Sequence, residues 1–248
     1  MNKYKYDFHC HIHEGSNDSR VSAVDYIESL IKKNFTGLLI TDHNSFNGYK
    51  YIKNNLNYNN FHILKGIEYS TIDAGHVLVI MPDEYDKSEI ENKSAKLADL
   101  IKYVHENNGI LGPAHPFSEP YLSIFSSNKY KDNFDICDDF DFIEVFNAGE
   151  KEEENLKALE LANKYDLFKT AGSDAHYLEH CGKSYIELDE EITCNNELIT
   201  YIKNHKPVNI CGDYYRNFDR EKYDRLKDFA YLLDHLLVKS AKNKCNIK

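Results

Sequence analysis

The sequence predicts an α/β fold, a barrel of parallel strands wrapped by helices, and three observations predict it. Short, wholly apolar runs alternate with stretches of helical periodicity over roughly 180 residues. Polar residues stand just after the strands, where a parallel barrel gathers them on one face. The chain of 248 residues is long enough for one such barrel or two small domains. No internal repeat or linker divides it, so residues 1–248 read as one domain, with 195–248 as a C-terminal extension packed on the barrel.

The first strand is Tyr4-Lys5-Tyr6-Asp7-Phe8-His9-Cys10-His11. Extended side chains alternate between faces, so His9 and His11 point the same way and Cys10 the other. Two imidazoles on one strand face, beside a loop that carries His13, Glu14 and Asp18, make half of a metal site. Ser22 to Asn34 reads as a helix, with Val24, Ile27, Leu30 and Ile31 at helical spacing and Ser22 as N-cap. Leu38-Leu39-Ile40 is a buried strand ending in Thr41-Asp42-His43-Asn44. A helix from Ser45 to Leu56 follows, then a strand from His62 to Tyr69. Only a few residues separate that strand from the next, His76 to Met81, which Pro82 ends.

A long helix is expected from Ser88 to Asn108, closed by Gly109. Ile110 to Phe117 is the fifth strand, and 118–139 is an extended loop with short helical pieces, a length common in lids and binding loops. Phe142-Ile143-Glu144-Val145-Phe146 is the sixth strand and Glu152 to Tyr165 a helix. Leu167 to Ala171 is the seventh strand and ends in Gly172-Ser173-Asp174-Ala175-His176. Lys183 to Leu188 adds a strand and Asn195 to His205 a helix. The stretch 220–242 is amphipathic and reads as a helix packed across the barrel rather than a dimer seam.

Composition narrows the function classes. Hydrophobic residues make up 42% and charged residues 29%, the balance of a folded globular chain. No apolar run approaches a membrane span, and Met1-Asn2-Lys3 leads straight into a strand, so a cytoplasmic location is expected. Six scattered cysteines form no C-x-x-C pair, which argues against a zinc ribbon or a redox dithiol. The net charge is −11 and there are four arginines, Arg20, Arg216, Arg220 and Arg225. Long nucleic acids usually leave a basic footprint on their partners.

His9, His11, His43, Glu68, His76, His115, Asp174 and His176 each lie at a strand end or in the turn after it, and Asp18 lies in the first loop. Brought to one mouth, six histidines and three carboxylates need cations, because buried carboxylates need partners. Imidazole plus carboxylate suits Zn²⁺, Mn²⁺ or Fe²⁺, and nine donors suit two or three ions rather than one.

The run Asp7-Phe8-His9-Cys10-His11, then Thr41-Asp42-His43-Asn44, Gly66-Ile67-Glu68, Gly75-His76, Ala114-His115-Pro116-Phe117 and Gly172-Ser173-Asp174-Ala175-His176 resembles the PHP (polymerase and histidinol phosphatase) family. The resemblance runs in order from Asp7 to Leu188. It implies a distorted (β/α)₇ barrel, two or three divalent ions and hydrolysis of phosphoesters. Carried over residue by residue, it implies that His9, His11, Glu68 and Asp174 hold one ion, and that Asp18, His43 and His176 hold a second. Glu68, His76 and His115 would hold a third, with Glu68 as the bridge. His13 and Glu14 are the alternatives to Asp18. Asp42 is expected to orient a ligand, and Glu144 to do the same or to touch substrate.

The resulting expectation is a phosphoesterase acting on a small phosphorylated metabolite or nucleotide through a hydroxide that bridges two ions. Asp174, Glu68 and His176 form the expected catalytic group, and Arg20, Lys183 and His180 the expected grip on phosphate. Histidinol phosphate, nucleotides and sugar phosphates all fit this chemistry. Three rivals stand beside it: a hydrolase of another ester or an amide, a nuclease, and a non-catalytic metal- or nucleotide-binding module.

Overall fold

The structure, a computed structural model, describes residues 3–215. Nine strands and five α-helices run in the order β1 (Tyr4–Cys10), α1 (Ala23–Lys32), β2 (Gly37–Ile40), α2 (Asn47–Asn55), β3 (His62–Ser70), β4 (His76–Ile80), α3 (Leu97–Glu106), β5 (Ile110–Pro113), β6 (Phe142–Asn147), α4 (Glu152–Lys164), β7 (Phe168–Gly172), β8 (Ser184–Leu188), α5 (Asn195–Lys203) and β9 (Val208–Gly212). They build a curled sheet in the order β5-β4-β3-β2-β1-β8-β9, completed by the pair β6-β7. The result is a distorted barrel.

The expectation of parallel strands throughout is corrected. The pairs β1-β2, β2-β3 and β6-β7 are parallel, whereas β3-β4, β4-β5, β1-β8 and β8-β9 are antiparallel. Residues 71–75 are too few for a crossover helix, so β3 and β4 can only form a hairpin. The hairpin keeps the end of β3 and the start of β4 at the same mouth, which is why Glu68 and His76 still meet.

The expected helix from Ser88 is also shortened, to Leu97–Glu106. Asn92 adopts a left-handed backbone (φ 53°) that interrupts any right-handed helix. The Glu91 carboxylate is drawn to α2 instead, accepting hydrogen bonds from Phe46 N–H (3.0 Å) and Lys50 Nζ (2.7 Å). The fifth strand ends at Pro113 rather than Phe117. The loop 118–139 carries two short 3₁₀ turns, Ile124–Ser126 and Phe134–Asp139. Strand β9 was not anticipated; it is short and half-exposed, without the apolar run that marks a buried strand. The stretch 220–242 and Arg216, Arg220 and Arg225 lie outside the described residues.

Side chains from the strands fill the barrel: Tyr6, Phe8, Leu39, Leu64, Leu78, Ile110, Phe142, Phe168 and Ile186 form one buried cluster. A second cluster lies between β1 and β2 and helix α1, with Cys10, Leu38 and Ile40 against Tyr26, Ile27 and Leu30. The β6-β7 pair is seated through two glycines. A Cβ on Gly112 of β5 would lie 2.1 Å from the Phe142 carbonyl oxygen, and one on Gly172 of β7 would lie 2.2 Å from His9 Cβ. Both neighbours are at or beside backbone and cannot swing away. Closure of the barrel therefore requires a bare Cα at both seams.

Gly172→Ala should accordingly cost on the order of 1–3 kcal/mol of stability, as overpacking against a rigid neighbour does. Urea denaturation should show a lower midpoint with an unchanged slope, and a midpoint equal to wild type would show that the seam gives way.

Candidate metal centre

Strand β1 delivers the first two donors by a local irregularity. Its pairing with β2 shifts register between Asp7 and Cys10. Such a bulge lets consecutive residues face the same way. Phe8 packs in the barrel interior, and His9 also turns inward, where its Nε2 lies 3.4 Å from Glu68 Oε2. Cys10 then packs against the α1 side, and His11 turns in, with Nε2 3.2 Å from both Glu68 Oε2 and Asp174 Oδ1.

Glu68 is the centre of the arrangement. Its carboxylate is almost fully buried, and five imidazoles approach it. Besides His9 and His11, His43 Nδ1 lies 3.0 Å from Oε2, and His76 Nδ1 and His115 Nε2 lie 2.8 and 2.9 Å from Oε1. Asp18 gathers the rest: its Oδ2 lies 3.1 Å from His43 Nε2 and 3.2 Å from His176 Nε2. All nine anticipated donors thus fall within one connected cluster.

The alternatives to Asp18 have other partners. Glu14 Oε2 accepts the Ala23 N–H at 3.0 Å in the first turn of α1, where a carboxylate suits the helix dipole. His13 is exposed, with Nδ1 3.3 Å from the Ser19 carbonyl oxygen.

Several rings are anchored by the nitrogen that points away. His9 Nδ1 bonds to Glu144 Oε1 at 3.0 Å, His176 Nδ1 to the Asp174 carbonyl oxygen at 3.0 Å, and His11 Nδ1 to Ser16 Oγ at 3.3 Å. This anchoring is the pattern that orients imidazole ligands toward an ion. Asp42 acts through Ser16: its Oδ1 accepts from Ser16 Oγ (3.0 Å) and Ile12 N–H (2.9 Å). Burial raises the Asp42 pKa to about 7.

The donor atoms fit a cation. His9 Nε2, His11 Nε2, His43 Nδ1, Glu68 Oε2 and Asp18 Oδ1 are all buried without a hydrogen bond of good geometry. Four overlapping triads bring their donor atoms together: His9–His11–Asp174, His9–Glu68–His115, His43–Glu68–His76 and His11–His43–His176. Buried imidazole nitrogens and carboxylate oxygens left facing one another are a donor set for divalent transition metals.

The electrostatics say the same. Burial by itself would raise the Glu68 pKa, but His76, His43 and His9 hold it well below the ordinary range. Burial would lower His9, yet Glu144, Asp174 and Glu68 hold it well above normal. Asp18 and Glu68 do the same for His43, against the same desolvation. Burial would likewise raise the Asp18 carboxyl, but His43 and His176 hold it far below the carboxylate range. His11 moves down, through burial and the neighbouring His176 and His43.

The three expected phosphate-gripping residues diverge. Arg20 is exposed at the rim, its backbone N–H bonded to the His176 carbonyl oxygen at 2.9 Å. Lys183 is half-buried. His180 is buried and stacked on Tyr215, with centroids 3.8 Å apart. Burial lowers its pKa.

Two residues escaped the sequence reading. Asp7 is wholly buried and accepts from Ser173 N–H (2.9 Å), Tyr26 OH (2.9 Å) and Gly182 N–H (3.1 Å), tying β1 to the loop that carries Asp174 and His176. Asn147 donates from Nδ2 to Glu144 Oε2 and to Asp174 Oδ2, both at 3.2 Å. Asp7 carried a signal, the one carboxylate in the strand Tyr4–Cys10. Asn147 carried none, since its neighbours are set by a bulge.

A family model described as "PHP domain" matches residues 7–179, and one described as "PHP-associated" matches residues 152–207. An uncharacterized protein of Methanocaldococcus jannaschii is 32% identical over 101 residues, covering 38% of this chain and 40% of that protein. The match therefore spans less than half the length of that relative. PsfC from Pseudomonas syringae has the same fold, with TM-score 0.67 at 17% identity over 96% of this chain and 100% of that one. A lesion-specific endonuclease from Pyrococcus furiosus aligns with TM-score 0.61 at 18% identity, over 84% of this chain and 58% of that one.

Metal uptake should displace protons. His9, His43, His115 and His176 all have raised pKa values in the metal-free protein, because carboxylates outweigh the burial that would lower them. Ions bind the neutral rings, so apparent affinity for Zn²⁺ or Mn²⁺ should rise with pH through the neutral range. Calorimetric titrations in buffers of different ionisation enthalpy should register the released protons. Affinity that is flat or falls with rising pH would contradict the assignment.

Proposed function

This chain belongs to the PHP domain family, and from that premise we propose that it is a metal-dependent phosphoesterase acting on a small phosphorylated metabolite or nucleotide. A metal-dependent hydrolase is the coarse activity that family membership and the donor set support together. The observation that carries the reading is the set of buried imidazole and carboxylate atoms that face one another without a hydrogen bond of good geometry.

The proposed ligand sets are His9, His11, Glu68 and Asp174 for one ion, Asp18, His43 and His176 for a second, and Glu68, His76 and His115 for a third. Zn²⁺, Mn²⁺ or Fe²⁺ suit these donors. When bound, such ions supply Lewis acidity toward phosphoryl oxygens and lower the pKa of water toward neutrality. The chain's own residues do the rest. Asp174 sits between His11 and His176 and is the proposed acceptor of the proton released when water attacks. The proton taken up by Asp174 is proposed to return to the leaving oxygen, while His176, its Nδ1 bonded to the Asp174 carbonyl oxygen, is kept for holding its ion. Arg20 and Lys183 carry the positive charge proposed to hold the phosphate.

Small substrates are favoured by charge. The chain carries −11 overall and four arginines, one of them among the described residues. A centre of bound ions attracts a single phosphoryl group locally, within about a Debye length of roughly 10 Å, and does not grip a polymer along its length. The endonuclease that shares this fold makes a nuclease the second reading.

The test is a turnover screen over phosphorylated metabolites, nucleotides and oligonucleotides, with protein of measured metal content. Turnover of phosphomonoesters with little salt dependence is expected. Preference for oligonucleotides, with efficiency falling by roughly a thousandfold between low and moderate salt, would move the reading to a nuclease.

Glu68→Gln should lower kcat/KM by about a thousandfold, since it removes charge shared by several ligands and exceeds the 10–100-fold typical of an outer partner. His13→Ala should stay within about threefold of wild type, as substitution of an exposed side chain does. Equal losses in the two variants would show that the first loop coordinates through a different residue.

A further inference from the structure

We propose that Asn147 is a positioning residue that commits Asp174 to the metal centre through one oxygen and holds it in register with Glu144. The inference rests on the metal-centre reading above and goes beyond it, because Asn147 touches none of the facing donor atoms.

The geometry starts from the second bulge of the barrel. Strand β6 pairs regularly with β7 up to Glu144, and the register shifts between Glu144 and Phe146. Residues three apart in a regular strand face opposite sides. Here the bulge brings Asn147 round to the side of Glu144, close enough for the 3.2 Å bond between them.

The orientation of the Asn147 amide follows from its neighbours. Its Oδ1 accepts the Gly149 N–H at 2.9 Å, so the NH₂ end faces the two carboxylates. Its backbone is gripped by Asn155 of α4, whose Oδ1 accepts Asn147 N–H (3.1 Å) and whose Nδ2 donates to the Asn147 carbonyl oxygen (3.0 Å). Asn147 and Asn155 are buried and Gly149 is half-buried. The amide is therefore held at a fixed place before any ion arrives.

Its two acceptors have separate tasks. Glu144 Oε1 holds the His9 ring, and Glu144 Oε2 also accepts the His115 N–H at 2.7 Å, supporting a backbone at φ 28° that few residues adopt. Asp174, itself left-handed at φ 50°, turns Oδ1 toward His11 and His9, at 3.2 and 3.7 Å, and gives Oδ2 to Asn147. One neutral donor thus separates two carboxylates and assigns one oxygen of Asp174 to the ion. Three proposed ligands, His9, His115 and Asp174, are aligned through one amide and its Glu144 partner.

The experiment measures uptake of Zn²⁺ and Co²⁺ by the full chain in wild-type form and in the variants Asn147→Asp and Asn147→Ala. Asn147→Asp keeps the acceptor for Gly149 but turns the donor into a third carboxylate, whereas Asn147→Ala removes both. One class of ion should bind about 10–100-fold more weakly in either variant, with the remaining ions unaffected. In the Co²⁺ protein the visible absorption of that ion should change in Asn147→Ala, because losing the amide's bond to Asp174 Oδ2 lets the carboxylate reorient at the ion. Variants that load like wild type with an unchanged Co²⁺ spectrum would overturn the role of Asn147 alone. Loss of folding in both variants at full metal supply would overturn it too, since the side chain would then serve the fold. A wild-type protein that takes up no ion would instead sink the metal-centre reading itself.

Discussion

A carboxylate closed off from water must have its charge answered, and Glu68 is such a carboxylate. Five imidazoles surround it within 3.4 Å, from β1, from the turn after β2, from the start of β4 and from the turn after β5. An unpaired ion at that depth costs several kcal/mol even after relaxation. Protons on the rings offset part of it, as the raised pKa values of His9 and His43 express. Divalent cations would offset all three carboxylates at once. The same constraint explains why the histidines arrive from four different segments: no single segment can place five rings about one carboxylate.

The barrel's irregularities serve that convergence. An ideal parallel barrel would alternate its side chains strictly between interior and helix layer. The bulge in β1 turns His9 inward directly after Phe8, and the bulge in β6 brings Asn147 round to Glu144. The β3-β4 hairpin brings Glu68 and His76 to one mouth with a five-residue connection in place of a helix. Left-handed backbone at His115 and Asp174 adds local strain at the same place. These particular departures from regularity lie beside the donors, where strain at a functional site is commonly found.

Charge organises the molecule at two ranges. Over the whole chain the balance is strongly negative. Within the mouth, donors for cations are packed together, and a loaded centre would reverse the local sign. In the proposed phosphoesterase, the field that a phosphate meets would be set by what the centre holds more than by surface side chains. The proposed roles of the exposed Arg20 and the half-buried Lys183 would modify that field rather than create it.

How much was legible in the sequence follows from how far each feature depends on distant segments. Periodicity revealed most strands and helices, because burial of one face is a local pattern that repeats. The donors were legible because His, Asp and Glu placed after apolar runs are costly there without a shared purpose, and their order along the chain matches a known family. Strand direction beyond β3 was not legible, although the short 71–75 connection held the clue. The early end of the fifth strand and the true extent of α3 depended on left-handed turns at His115 and Asn92, whose conformations are chosen by contacts elsewhere. The geometry that favours Asp18 as the proposed donor of the first loop exists only in three dimensions, where Glu14 caps α1 and Asp18 reaches His43 and His176. Asn147 lay wholly beyond the sequence. A bulge has no compositional signature, and an asparagine acquires its role only from the two carboxylates that folding brings to its amide.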